Sequence, residues 1–267
     1  MFEFYKSLGE NFRKVYLPQH ILMAIGLYMF ATSDASLHWL WLIYPAWFLF
    51  GHIGFGIIIH KYYCHNSFET YRWIARLGAY FGLLCGTGSP VMLKVVHIGY
   101  HHPNSDTDKD PHTPKHGFWW SYFGWLNHKW DFRKMWIAKD IMKDPVVRFY
   151  HRHYYKIYWS TFIVLALINI NLALFTMTTA TVIQFHLSGL ANTLGHTKHW
   201  GSYQNYTDGD NSQNSPIFNL FTLGLGLHNN HHGRPGFYDY AHKPGEVDFA
   251  RWFVPLIAKK RKQHANN

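Results

Sequence analysis

Histidines are the residues of this chain whose spacing most clearly indicates chemistry. Of 21 histidines, three lie within six residues of the stretch HIGYHHPNSDTDKDPH, which runs from His97 to His112. His97 and His101 are four apart, so on a helix they would share one face, with His102 at the edge of that face. Imidazole is a suitable ligand for iron, zinc, copper and nickel. The stretch therefore predicts one part of a metal site that needs further ligands from elsewhere in the chain.

Three other histidine motifs supply such ligands. His60-KYYC-His65 has its histidines five apart, Asn192-TLG-His196 has i, i+4 spacing, and His228-NN-His231-His232 combines i, i+3 with i, i+4 spacing. A single zinc site takes about four ligands, whereas these motifs supply enough for two metals with open positions. The nine candidate metal ligands are His60, His65, His97, His101, His102, His196, His228, His231 and His232.

Acidic residues follow the second motif, and we place them outside the ligand set. Asp106, Asp108 and Asp110 are positioned to accept a hydrogen bond from the second ring nitrogen of a metal-binding histidine. Helix capping or a solvated loop explains the same residues equally well. His112 also stays outside the ligand set.

Long uncharged stretches predict the helices that must position these motifs. The apolar run Ile21–Thr32, with its flanks from 17 to 33, and the run Leu37–Ile59 each approach the roughly 20 residues needed to cross a membrane. A polar turn at Ser33–Ser36 separates them. Residues 157–195 are long enough for two more helices with a turn near Asn169–Asn171. The chain thus reads as an all-α membrane protein with four transmembrane helices in two hairpins.

The positions of the basic residues predict the orientation of the protein. All 25 lysines and arginines fall within residues 1–14, 61–156 and 198–267. Two hairpins leave all of them on one side, which the positive-inside rule makes cytoplasmic. We therefore expect a single domain, 1–267, with hairpins at about 17–59 and 157–195. A cytoplasmic helical cap at about 60–156 and 196–267 would carry the histidine motifs, and Tyr71–Val96 would form a half-buried or interfacial helical segment.

Composition narrows the function classes. Charged residues make up 15% of the chain, below the roughly 25% typical of soluble domains. The net charge of +10 has no nucleic-acid-binding motif beside it, so we expect no nucleic-acid partner. The two cysteines do not form a disulfide framework or a CxxC motif.

The motifs together resemble those of the integral-membrane fatty acid desaturases. HKYYCH, HIGYHHPNSDTDKDPH and HNNHH occur in this order between two hydrophobic hairpins, and the likeness is greatest to the delta-9 acyl-CoA and acyl-lipid branch related to stearoyl-CoA desaturase. HGFWWSYFGWL and the DNSQN of Asp210–Asn214 also resemble that branch, so the likeness covers roughly residues 20–240. The second motif has one residue more than the HxxHH of the animal enzymes, which leaves His97 as the candidate for its first ligand. In HTKHWG, His199 remains an alternative to His196.

The resemblance implies a di-iron centre held by the nine histidines, with Asn192 reaching one iron through water. It also implies an O2-dependent, delta-9-like cis desaturation of a saturated acyl chain, carried on CoA or on a lipid. The sequence contains no GxGxxG, flavin or cytochrome b5 pattern, so electrons would come from an external ferredoxin or cytochrome b5-type donor. The protein would be a multi-pass membrane protein of a bacterial inner membrane or the endoplasmic reticulum.

Three other functions stay open from the residues alone. A di-iron hydroxylase or ketolase acting on alkanes, sterols or carotenoids would use similar motifs. A metal transporter would need histidines along a path through the membrane, and a zinc-dependent membrane hydrolase would need fewer of them.

Overall fold

The computed structural model describes residues 9–32, 37–127, 134–207 and 209–259. Regular structure in these ranges is helical apart from isolated β-bridges, which confirms the all-α prediction for this part of the chain. The helices are α1 Gly9–Thr32, α2 Leu37–Cys64, α3 Arg72–Leu83, α4 Pro90–Val96, α5 Phe118–Tyr122, α6 Pro145–Ile168, α7 Ile170–Leu194, α8 Pro216–Thr222, α9 His228–Gly233 and α10 Ala250–Ile257. Short 3-10 turns lie at His102–Asn104, Pro114–His116, Gly124–Asn127, Met135–Ala138 and Ile141–Lys143.

Three of the described helices are long and apolar enough to cross a membrane, namely α1, α2 and α7. The predicted first helix of the second hairpin belongs to α6, which begins at Pro145 rather than Ile157. Asp144 starts this helix, because its side chain accepts a hydrogen bond from the Val146 amide and Pro145 occupies the first helical position. The N-terminal half of α6 carries Arg148, Arg152 and Lys156. The count of four spans therefore stays a prediction.

The turn predicted near Asn169–Asn171 is present between α6 and α7. Asn169 has an extended backbone, with φ −163° and ψ 125°, and its side chain accepts a hydrogen bond from the Asn171 amide at 2.9 Å. Asn169 therefore ends one helix and caps the next. The predicted turn at Ser33–Ser36 lies outside the described residues.

The segment Tyr71–Val96 forms two helices instead of the single helical piece predicted. Gly86 and Gly88 between them have φ values of +82° and +95°, a conformation that favours glycine and interrupts the helix. Ser89 then caps α4 by accepting a hydrogen bond from the Met92 amide, with Pro90 at the first helical position. Much of this segment is buried against α2, so it is part of the protein core.

Helices α2 and α3 approach each other at two glycines. A Cβ atom on Gly54 would meet the Gly82 amide and lie 2.8 Å from the Gly82 Cα. The α2 residues Ile57, Ile58 and Ile59 are buried in the same cluster as residues of α3 and α4, including Ala79, Val91 and Val95. This packing brings the end of α4, where the second histidine motif begins, alongside the end of α2.

Candidate metal centre

The structure brings all nine predicted histidine ligands together from the C-terminal end of α2, the turn that follows α7, helix α9 and the segment that follows α4. Eight of them form two compact groups of four, in which one ring nitrogen from each histidine lies within 4.8 Å of those of the others. His60, His65, His97 and His231 form one group, and His101, His196, His228 and His232 form the other. His102 joins the first group, because its Nε2 lies 3.0 Å from Nε2 of His97 and 3.1 Å from Nε2 of His231. We call these the five-histidine group and the four-histidine group.

Widened helical turns explain how histidines five residues apart reach one group. The His65 amide donates to the His60 carbonyl, and the His102 amide donates to the His97 carbonyl. These are i→i+5 bonds of the π type, which often occur at functional sites. The turn places His97 with His102, whereas α-helical geometry predicted that His97 and His101 would share a face. His101 therefore points to the four-histidine group.

The adjacent histidines of two motifs divide between the groups. His231 belongs to the five-histidine group, and His101 and His232 belong to the four-histidine group. His102 contacts His97 and His231 of the five-histidine group and also clusters with His232, so it lies where the two groups meet. Neighbouring residues on a helix point in directions roughly 100° apart, so a pair of adjacent histidines contributes one ring to each of two adjoining sites. Two such pairs tie the sites together.

Three carboxylates lie behind the four-histidine group. Asp110 Oδ2 is 3.0 Å from Nδ1 of His101, Asp210 Oδ2 is 2.5 Å from Nδ1 of His232, and an Asp106 oxygen is 3.4 Å from Nδ1 of His196. The structure thus brings Asp106 and Asp110 into the positions that the sequence suggested. Asp108 differs, because its side chain is 82% exposed and its Oδ1 lies 3.8 Å from Nε2 of His116, which is not one of the nine candidate ligands.

The orientation of these rings tests whether metal ions fit the two groups. An imidazole whose Nδ1–H donates to a carboxylate presents a lone pair at Nε2. The Nε2 atoms of His101 and His232 nevertheless face each other at 3.1 Å, and both rings have a carboxylate at Nδ1. Two lone pairs at this distance repel each other unless a cation lies between them. Two nitrogens bound at right angles to one metal at about 2.1 Å would lie about 3.0 Å apart. The residues therefore fit bound metal ions.

Burial keeps His97, His101, His102 and His232 in the form that binds metal. Removal from water, and then the neighbouring imidazoles, lowers the pKa of His97, His101 and His232 well below the ordinary value. Burial lowers the pKa of His102 to about 4. Neutral imidazole is the ligand form, so no proton has to be displaced from these nitrogens at neutral pH.

The remaining polar residues of the sequence motifs take different positions. His199 lies away from both groups, where its ring nitrogens contact the Thr197 carbonyl at 2.8 Å and the Ser215 hydroxyl at 3.0 Å. His112 contacts the ring of His101, with ring centres 4.2 Å apart, and belongs to a cluster with Asp110. Asn192 donates to the Ser121 carbonyl at 3.4 Å and lines a cavity beside His228.

That cavity is mostly apolar and reaches the histidines from the side of the long helices. Its wall includes His60 and His97 of the five-histidine group and His228 of the four-histidine group. Along α2 it extends from Lys61 back to Trp47, roughly 20 Å at helical rise, and along α7 from Asn192 back to Gln184. Trp47 Nε1 donates to Gln184 Oε1 at 3.3 Å, so this pair marks the far end of the cavity along these two helices.

Two polar residues of the site were not singled out from the sequence. Asp210 was noted only as part of DNSQN, although it makes the shortest of the carboxylate–histidine contacts. Asn230, inside HNNHH, is fully buried and connects its helix to the C-terminal segment by donating to the Tyr240 carbonyl and to Glu246, both at 2.8 Å. The signal available from the sequence was its position between the candidate ligands His228 and His231.

Comparison with known proteins gives matches over most of the chain. Residues 39–245 match the family described as Fatty acid desaturase. The chain is 31% identical over 246 residues to the sn-1 stearoyl-lipid 9-desaturase of Anabaena variabilis, covering 87% of this chain and 85% of that protein. It is 30% identical over 250 residues to the acyl-CoA C20 Delta5-desaturase of Anemone leveillei, covering 89% and 78% respectively. It is also 26% identical over 249 residues to the sn-2 palmitoyl-lipid 9-desaturase of Nostoc sp. (strain 36), covering 89% and 83%.

Proposed function

The chain belongs to the fatty acid desaturase family, whose members are oxidoreductases that act with O2, and we propose that it forms a cis double bond in a saturated fatty acyl chain. The bond position we propose is delta-9-like, since relatives named 9-desaturases align over most of the chain. The observation that carries the proposal is the junction of an apolar cavity with two groups of imidazole nitrogens.

We assign one iron ion to each group. The five-histidine group would hold one, and the four-histidine group would hold the other, with Asn192 acting through a water molecule. With O2, bound iron would supply an oxidant strong enough to remove hydrogen from an unactivated methylene group. The chemistry of the donor set supports this assignment, because neutral nitrogen ligands bind iron and leave positions open.

The protein's own residues would orient the acyl chain and keep water away from it. Phe55, Ile57 and Met92 line the apolar cavity, and His60 and His97 form another part of its wall. An acyl chain in this cavity would present a defined pair of methylene groups to the histidine groups, since positioning of the reacting atoms contributes a large part of catalysis. The cavity walls would thereby determine the bond position.

We further propose an integral membrane protein with a single domain spanning 1–267, four spans and the histidine groups on the cytoplasmic side. The long apolar helices and the uneven distribution of lysine and arginine support this arrangement. The substrate would be an acyl-CoA or an acyl-lipid, with lipid around the spans. Electrons would come from a ferredoxin or cytochrome b5-type carrier, and the basic cytoplasmic side would suit an acidic one.

Fatty-acid profiling of a host without its own desaturase tests the proposal. The host would express the chain, its His231→Ala variant or its His199→Ala variant. We expect new cis-unsaturated acids with the intact chain and with His199→Ala, and none with His231→Ala. Mass spectrometry of the products gives the bond position.

Two results would contradict the proposal. Hydroxylated or keto products would identify a di-iron hydroxylase or ketolase instead. An unchanged profile, with membrane-inserted protein, bound iron and a competent donor demonstrated, would rule out the acyl chain as the substrate.

A further inference from the structure

A second opening reaches the histidine groups from another direction. Its rim includes exposed residues such as Thr107 and Arg234, and its inner wall includes the buried Ser212 and Asn229. The remaining lining residues are His102, Pro103, Asn104, Ser105, Tyr206, Gly209, Asp210, His232 and Gly233. We call this opening the polar cleft, because hydroxyl, amide, carboxylate and imidazole groups make up most of its wall.

The polar cleft and the apolar cavity have no lining residue in common. The cavity touches His60, His97 and His228, whereas the cleft touches His102 and His232. Each opening therefore reaches one or more rings of both histidine groups. The two openings also differ in chemistry, since one is lined mainly by apolar side chains and the other mainly by polar ones.

Desaturation needs a polar route in addition to a path for the acyl chain. The –CH2–CH2– unit, one O2, two electrons from the donor and two protons from solvent give –CH=CH– and two water molecules. Protons must enter and water must leave in every turnover. An acyl chain that fills this mainly apolar cavity would block both movements on that side, because it occupies the space and covers the few polar groups of the wall that could replace hydrogen bonds to bulk water.

We propose that the polar cleft is the route by which protons and water pass between solvent and the histidine groups, separately from the acyl chain. This inference rests on the proposed function for its purpose, but the access that it describes can be measured without desaturation. The wall supplies partners for water along its length, from the Thr107 hydroxyl at the rim to the Ser212 hydroxyl and the Asn229 amide inside.

Blocking the cleft with a bulky label tests the route. Cys64 and Cys85 are buried, with 3% and 0% of their surfaces exposed, so an introduced surface cysteine would be labelled selectively by a maleimide. The test variant is Thr107→Cys, at the rim. The control is Lys109→Cys, which is exposed on the same loop but does not line the cleft. Arg234→Cys provides a second rim position if Thr107→Cys does not fold.

The first readout is the rate at which a hydrophilic chelator removes iron from the purified protein. We expect the label at position 107 to slow removal severalfold relative to the unlabelled variant, and the label at 109 to leave the rate unchanged. Filling the apolar cavity with a saturated acyl lipid should not slow removal. Equal rates with both labels, or slowing by the lipid alone, would overturn the proposal.

The second readout needs neither iron nor activity. Diethyl pyrocarbonate should modify His102 and His232 of the metal-free protein faster than His60 and His97, as measured by mass spectrometry. The label at position 107 should remove that difference. If the label protects His102 and His232 while the chain makes no unsaturated product, the cleft stands and the proposed function fails. If products form but all four histidines react alike, the function stands and the cleft proposal fails.

Discussion

The Nε2 atoms of His101 and His232 lie 3.1 Å apart, and a carboxylate contacts each ring at its other nitrogen. Asp110 holds His101, and Asp210 holds His232. This arrangement fixes both rings with their lone pairs toward a common point. The two acids therefore set the orientation of these two candidate ligands.

Replacing Asp110 by asparagine should weaken metal binding in the four-histidine group. The substitution keeps the shape of the side chain but removes the charge that orients His101, and loss of such partners typically costs about 10–100-fold in metal affinity. Competition with a chelator measures the affinity. Asp108→Asn is the matched control, because Asp108 is exposed and has no contact with the nine ligands. Equal affinities for the two variants would contradict the assignment.

The division of the ligands into two groups predicts partial loss of metal. His60→Ala removes a ring of the five-histidine group, and His228→Ala removes a ring of the four-histidine group. We expect each variant to lose metal mainly from one of its two sites, while His199→Ala keeps both. Elemental analysis and iron spectroscopy would show which site is affected. Loss of the same spectroscopic site in both variants would disprove this partition.

The contact between α2 and α3 predicts an effect of one added methyl group. In Gly54→Ala, the new Cβ would meet the backbone of Gly82, so the helices must separate. Such overpacking typically costs about 1–3 kcal/mol. Gly56→Ala is the control, since its nearest neighbour would be the Gly51 carbonyl oxygen at 3.6 Å. Thermal unfolding in detergent should show a lower midpoint for Gly54→Ala than for Gly56→Ala, and the reverse order would count against the close crossing.

A buried ion pair connects the first histidine motif to the C-terminal segment. Lys61 Nζ donates to Asp248 Oδ2 at 2.6 Å and to the Tyr238 carbonyl at 2.8 Å, and both side chains of the pair are nearly inaccessible. Lys61→Met alone leaves the Asp248 charge buried without its partner, which should cost about 3–5 kcal/mol of stability. The double variant Lys61→Met, Asp248→Leu should recover part of that loss.

An exposed ion pair provides the comparison for that experiment. Nε of Arg251 lies 2.6 Å from Oδ2 of Asp239, but the arginine side chain is 44% exposed. Arg251→Gln should therefore cost less than about 1 kcal/mol. If thermal unfolding showed the same loss of stability for Arg251→Gln as for Lys61→Met, burial would not explain the contribution of the Lys61–Asp248 pair.

The far end of the apolar cavity should limit the length of the acyl chain. Trp47 and Gln184 are joined there by a hydrogen bond. Gln184→Ala removes the amide group from that wall and shortens the side chain. We expect the variant to produce a larger proportion of unsaturated acids with long chains, as measured by gas chromatography. Gln19→Ala is the control, since Gln19 is also buried but does not line the cavity. An unchanged distribution of product chain lengths in an active Gln184→Ala variant would show that the acyl chain does not reach the Trp47–Gln184 end of the cavity.

The sequence by itself determined the family, the long apolar helices and the positions of the nine candidate histidines, because these depend on residue type and local spacing. Clustered histidines at short intervals indicate metal ligands wherever the chain folds them, and a helix that crosses a membrane needs roughly 20 predominantly apolar residues. The family prediction is confirmed by the matches over residues 39–245.

The tertiary structure decided which histidines meet. Spacing in the sequence predicted that His97 and His101 would share a face, but a widened turn pairs His97 with His102 and sends His101 to the other group. It also brought Asp210 to His232 across 22 positions of the chain, and separated His199 from the ligands by turning it toward Ser215. Such contacts depend on where segments distant in sequence pack against one another. Spacing along the sequence does not predict these contacts, because the residues that meet depend on how the whole chain folds.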